Sequence, residues 1–298
     1  MALWIVATVA AAAVQTVRFM LQKRLKGLGL STGGATFSRF LFAVPLAGAG
    51  VCAMILARGH ALPPLGLAFW GFAIAGGIGQ IVATFCTVAL FSERSFAVGI
   101  AFTKTETVQV ALFSAVFLAE AVSGMGIVAI LIGLAGVLLL SRPPDGWRSG
   151  RIFNRATVLG LLAGAFFGLS AIGYRGATLA IANDDPLFRA VLALACVTAF
   201  QTVAMVLWLR WREPGEVGRV LRAWRATLPV GVTGVLGSLG WFTAFALQNA
   251  AYVRSVGQVE LIFSILVSVF VFGERPKPRE VAGMALLAAS IALIVLIA

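Results

Sequence analysis

Uncharged apolar runs near 20 residues long recur from one end of this chain to the other. About 20 such residues are what an α-helix needs to cross the ~30 Å hydrocarbon layer of a bilayer. Composition points the same way. Of 298 residues, 60% are hydrophobic and only 11% are charged, against roughly 25% charged in soluble domains. Membrane barrel strands would alternate over about ten residues, whereas these runs are longer and uniformly apolar, so the expected class is an all-α membrane protein. Met1–Leu21 lacks a basic leader and a clear cleavage site, and reads as a first span rather than a signal peptide.

Ten transmembrane helices are expected, over approximately 2–22, 32–57, 66–91, 95–119, 123–141, 155–181, 185–211, 226–249, 253–272 and 277–297. Pro, Gly and charge punctuate the connections, as in RGHALPP, SRPPDGWRSGR and GERPKPRE. Sixteen of the 23 Lys and Arg residues fall in odd-numbered connections or at the helix ends bordering them, against two, Arg58 and Arg254, in or bordering even-numbered ones. By the positive-inside rule the odd connections are cytoplasmic and both termini lie outside, with a bacterial inner membrane as the expected location. The net charge of +12 is then a topology signal and an attraction to anionic headgroups. It does not indicate nucleic-acid binding, because the basic residues are dispersed and have no stacking aromatics among them.

The chain also repeats itself. ETVQVALFSAVFLAE sets Glu106 and Glu120 fourteen residues apart, and ELIFSILVSVFVFGE gives Glu260 and Glu274 the same spacing, with Ser114 matching Ser268. TVAL at 87–90 corresponds to AFAL at 244–247, Arg18 to Arg175, and Arg39 to Arg189. Residues 1–145 and 151–298 therefore read as two copies of a five-helix unit. An odd helix number inserts the second copy upside down, giving two inverted repeats, an architecture of many secondary transporters.

Five plus five helices, a fourth helix closing on Glu120 and a glycine-spaced fifth, GMGIVAILIGLAGVLLL, resemble the drug/metabolite transporter superfamily, specifically its EamA-type permeases. The resemblance covers essentially the whole chain. It implies a transporter, most often an exporter, of small metabolites, amino acids or drugs. Many such proteins are thought to keep both termini in the cytoplasm, whereas the charge count here places them outside.

The stretch FTKTETVQV carries Lys104 and Glu106 into an otherwise apolar run. A charge at the helix centre costs roughly 2.5–3.5 kcal/mol on insertion scales, so it faces a partner or a wet cavity. Two residues apart on one helix, these side chains point to different sides and need company elsewhere. The functional reading puts Glu106 and Glu260 near a pseudo-twofold axis, lining a central cavity with Lys104, Gln109 and Gln258. The structural alternative is an ion pair, Lys104 with Glu260 or Glu106 with Arg18 or Arg39. The cations within spans, Arg18, Arg39, Lys104, Arg175 and Arg189, outnumber the acids, Glu106 and Glu260. That excess favours an amino-acid-like or other carboxylate-bearing solute, since Arg recognises carboxylates bidentately. Pumps for lipophilic cations need an unpaired acid and few bases. The four arginines could instead snorkel to headgroups.

Gln80, Trp241, Phe242, Gln248 and Asn249 are further cavity candidates. Gly76, Gly77 and Gly79 in the third helix and Gly231, Gly234, Gly237 and Gly240 in the eighth permit close backbone approach. Trp4, Trp70, Trp208 and Trp211 read as interface anchors. Cys52, Cys86 and Cys196 are isolated and His60 is the sole histidine. No disulfide framework, metal site or hydrolytic triad is indicated, so neither a cofactor nor enzymatic activity is expected. The expected partners are a small-molecule substrate and membrane lipid, with protons as the candidate coupling ion through Glu106 or Glu260. A monomer is expected. Multidrug or cationic-compound efflux, and a non-transporting scaffold or lipid-handling role, are the alternatives.

Overall fold

The computed structural model describes residues 2–92, 103, 106–141, 155–272 and 278–297, among which there is no strand. Among the described residues, seven helices are long and apolar enough to cross a membrane: Leu3–Gly27, Thr32–Arg58, Leu67–Leu90, Val158–Leu179, Pro186–Arg212, Trp224–Leu247 and Ala250–Val271. Three shorter apolar helices cover Gln109–Leu118, Gly124–Gly136 and Val281–Ile297. Exposed Leu112, Val116, Leu207 and Phe270 on the outer faces suit hydrocarbon rather than water. This is a multi-pass membrane protein.

In chain order the elements are α1 (Leu3–Gly27), α2 (Thr32–Leu41), α3 (Ala43–Arg58), α4 (Leu67–Leu90), α5 (Glu106–Leu118), α6 (Gly124–Ser141) and α7 (Arg155–Leu179). They continue as α8 (Pro186–Arg212), α9 (Glu216–Arg222), α10 (Trp224–Leu247), α11 (Ala250–Val256), α12 (Val259–Phe272) and α13 (Pro278–Ile297). Several boundaries depart from the sequence reading. The first helix runs on past residue 22, because Gln22 and Leu25 are buried by tertiary contacts. The expected 32–57 span breaks at Phe42, where Pro45 lacks the N–H that would bond the Leu41 carbonyl. The short helix α9 was not foreseen in WREPGEVGR; Gly215 enters it at φ 89°, a left-handed conformation strained for other residues.

The dominant packing pairs are α4 with α7, α1 with α10 and α6 with α13. Helix α5 also packs on α7, α12 on α1, and α8 on α2 and α3. At the α4–α7 crossing a Cβ on Gly173 would come within 2.5 Å of the Gly76 Cα and 2.7 Å of the Phe72 carbonyl oxygen, backbone that cannot swing aside. Small residues allow such contact where the hydrophobic effect does not drive helices together. Trp4, expected at the interface, is instead buried in the core, whereas Trp211 is exposed.

The α2–α3 rod and α8 are tied at both ends. At one end Arg58, closing α3, lies 2.6 Å from the Oδ2 of Asp185. Asp185 is also the N-cap of α8, accepting from the N–H groups of Leu187 and Phe188 through Oδ1. His60 sits 3.1 Å from the same Oδ2 and stacks on Phe188. At the other end Ser31, the N-cap of α2, donates its N–H to Glu216 at 2.7 Å and its hydroxyl to Glu213, just past the end of α8. Glu216 is fully buried there and pairs with Arg219.

Candidate functional site

A small cavity lies among α1, α2, α4, α7, α10 and α11. Its polar wall comes from Gln15, Arg39, Gln80, Tyr174, Ser238 and Arg254, and its aromatic wall from Phe167, Trp241, Phe242 and Phe245. It has room for about one water molecule. A second recess shares Arg39, Tyr174, Ser238 and Phe242 and extends to Thr198 and Gln201 of α8. Tyr174 and Phe242, stacked at 4.2 Å, form a wall common to both.

Arg39 is 4% exposed and bonds only neutral groups. Its Nη1 donates to Thr84 Oγ1 at 3.1 Å and its Nη2 to Ser238 Oγ at 3.0 Å. The Gln80 orientation that satisfies every neighbour turns its carbonyl to Arg39 Nη1 at 2.5 Å and its amide N to Ser170 and Tyr174. Among the described residues no carboxylate lies within ion-pair distance of Arg39. Arg18, on α1, is 1% exposed and donates through Nη1 to Gln22, while its Nη2 has no hydrogen-bond partner among the described residues. The two side chains converge on Gly234 of α10, where a Cβ would sit 3.0 Å from Arg39 Cγ and 3.7 Å from Arg18 Cδ. Snorkelling is thereby corrected for both: each arginine points into the protein. Two neighbouring buried cations are costly unless negative charge reaches them.

The glutamates lie one layer behind the cavity. Glu106, opening α5, forms an ion pair with Arg254 of α11, both almost fully buried. The Arg254 guanidinium in turn lies over the Trp241 ring, 4.6 Å from its centroid. Glu260, on α12 and 0% exposed, accepts from Gln15 Nε2 at 3.1 Å, and Gln15 Oε1 accepts the indole N–H of Trp241 at 3.0 Å. Neither carboxylate is part of the cavity wall; their partners are.

Of the other expected site residues, Gln80 and Trp241 line the cavity and Gln109 and Gln258 do not. Gln258 turns toward α5 and α6, donating to Thr107 Oγ1 at 2.9 Å and filling the space beside Gly133. Lys104 lies outside the described residues. Arg175 sits toward one end of α7, held by Glu120 Oε1 at 2.5 Å and by the Phe245 carbonyl at 2.5 Å. Arg189 reaches the Ala246 carbonyl at 3.5 Å. Gln248 and Asn249 shape the reversal between α10 and α11, where Asn249 caps α11 through the Ala251 N–H.

Three participants were missed in the sequence: Gln15, Arg254 and Glu120. Arg254 was counted as a connection charge, although it lies six residues before Glu260 in an apolar stretch. Gln15 precedes Arg18 by three positions and so shares its helix face.

Residues 154–296 match the model of the EamA-like transporter family. No curated protein matches the sequence at a significant level. A solved structure, described as a crystal structure of a protein, superposes with a TM-score of 0.60 over 97% of this chain and 99% of that one. At 19% identity, that is a likeness of fold alone.

Proposed function

We propose that this chain, whose residues 154–296 match the EamA-like transporter family, is a membrane transporter that exports small carboxylate-bearing solutes, amino-acid-like in character, by alternating access. The observation that carries this reading is the buried Arg18–Arg39 pair. Arg39 presents a guanidinium to the cavity with only neutral partners, and Arg18 keeps an uncommitted N–H beside it. A carboxylate arriving there brings a direct anionic partner to Arg39, beyond the more distant charge of Glu260, and can accept two parallel N–H bonds. The aromatic wall suits an apolar body on the same solute.

The architecture proposed is ten helices in two inverted repeats, 1–145 and 151–298. Support comes from the packing. Exchanging the repeats maps the α4–α7 pair onto α10–α1, maps α5–α7 onto α12–α1, and leaves α6–α13 unchanged. The family match also begins close to the proposed repeat boundary. Ties at both ends of the α2–α3/α8 pair, with a cavity the size of one water, support reading this as an occluded form. Substrate entry then requires one tie to release while the other holds. The lysine and arginine bias orients the Ser31–Glu216 tie toward the cytoplasm and both termini away from it. Glu106 and Glu260 are the candidate proton carriers, and a monomer in the bacterial inner membrane is the proposed working form.

Solute counterflow in proteoliposomes tests the function. A panel of amino acids, other carboxylates and lipophilic cations, loaded inside, should drive uptake of labelled carboxylate solutes alone. Uptake of cations alone would favour multidrug efflux, and no counterflow by any solute would remove the transport reading.

A further inference from the structure

We propose that Gln15 is a positioning residue that transmits the protonation state of Glu260 to the Trp241 wall of the cavity. This deepens the proposed proton coupling and rests on Glu260 being the carrier. The geometry has an unambiguous direction. An indole N–H can only donate, so the Gln15 atom facing Trp241 at 3.0 Å must be the carbonyl oxygen. The amide NH2 is then left for Glu260, and a carboxylate, which can only accept, satisfies it at 3.1 Å. Trp241, Gln15 and ionised Glu260 therefore form one chain of hydrogen bonds in which every donor points the same way.

A proton delivered to the Glu260 Oε2 that faces Gln15 reverses one link. With its new O–H directed at Gln15, that oxygen meets the amide NH2 donor against donor. The amide relieves this by turning over about its Cγ–Cδ bond, so that its carbonyl accepts the new O–H. Its NH2 then faces the Trp241 N–H, again donor against donor, and the indole loses its only bond in the described network. Trp241 is 5% exposed and lines the cavity beside Phe245, so a swing of its ring changes the cavity's shape. Loss of the proton restores the first arrangement. One proton enters and leaves, and the only covalent bond made or broken is that O–H.

Among the described residues, few charged groups surround the relay. From α1, Arg18 lies within Coulombic reach of Glu260. From α11, Arg254 covers the Trp241 ring while paired to Glu106 of α5. Helix α13, packed on α12, carries its charges, Arg279 and Glu280, only in its first turn. Lys104 lies outside the described residues.

The test uses the full chain in lipid nanodiscs, with Trp241 emission taken as the difference between the protein and its Trp241→Phe variant. Titration of that difference signal against pH should show a single transition. Glu260→Gln should abolish it. So should Gln15→Met, which keeps the side-chain length and removes the amide, while both variants remain monodisperse and melt cooperatively. Should Gln15→Met fail to fold, Gln15→Ala and the Glu260→Gln titration still decide the matter. No transition in the wild type, or one surviving in either the Glu260 or the Gln15 variant, overturns the relay. Because the readout needs no solute, a transition without proton-driven transport would remove the coupling and leave the relay standing.

Discussion

Glu106 and Arg254 meet as a buried ion pair from two different helices, with side chains 2% and 7% exposed. Removing one charge leaves the other uncompensated away from water. Glu106→Gln is therefore expected to destabilise the protein by about 3–5 kcal/mol, read as a large drop in the thermal midpoint of the purified protein. The double variant Glu106→Gln/Arg254→Met should recover much of the loss, since a well-packed apolar replacement can match a buried pair. An unchanged midpoint in the single variant would show that the pair contributes little to the fold.

Arg175 joins three helices. From α7 it holds Glu120 at the exit of α5 and the Phe245 carbonyl near the end of α10. Arg175→Ala should raise amide deuterium uptake several-fold over 118–121 and 245–250 and leave the Ser31–Glu216 end unchanged. Arg175→Lys should fall between the two, since an ammonium keeps the charge and loses the guanidinium fork. Uniform uptake change across the whole chain would mean general destabilisation instead of a local clamp.

Asp185 lies outside the spans and titrates in an informative direction. Burial alone would raise its pKa, but Arg58, the Leu187 and Phe188 N–H groups and His60 favour the charged form and hold it below the ordinary 3.8. A carboxyl with a depressed folded-state pKa contributes stability that is present above its unfolded value and lost as pH falls through the folded one. The thermal midpoint should therefore fall as pH drops below about 4. Asp185→Asn should flatten that part of the profile, because Asn still caps α8 but does not titrate. A profile as steep in the Asn variant would assign the acid sensitivity to other carboxyls.

The α4–α7 crossing offers a packing test. With backbone atoms within 2.5–2.7 Å of any added Cβ, Gly173→Ala should cost about 1–3 kcal/mol by forcing the helices apart. The same change at Gly48, where nothing lies within 4 Å, should leave the midpoint near the wild-type value.

Much of the membrane fold was legible because a single physical demand, the length of apolar chain that crosses a bilayer, writes itself into sequence. Kinks were harder. The break at Phe42 follows from Pro45, a local cue that the hydropathy of the run conceals. Site residues divided by how far their partners lie in sequence. Arg39 and Trp241 were identifiable as polar or amphipathic groups in apolar helices. Their company was not: Gln15 and Glu260 are 245 positions apart, and no periodicity links them. Arg254 was misread because charge near a helix start looks like a connection until packing shows that α11 and α12 continue one buried span.

The central claim is that Arg39 recognises a carboxylate inside the membrane. Its most direct test is the affinity of the purified protein for a transported amino acid and for the carboxamide of the same molecule, in wild type and in Arg39→Gln. Charge-assisted hydrogen bonds of about 1.5–3 kcal/mol correspond to roughly ten- to a hundredfold. Wild type should favour the carboxylate by that factor, and Arg39→Gln should bind the two alike. Undiminished preference for the carboxylate in a folded Arg39→Gln protein would contradict the account.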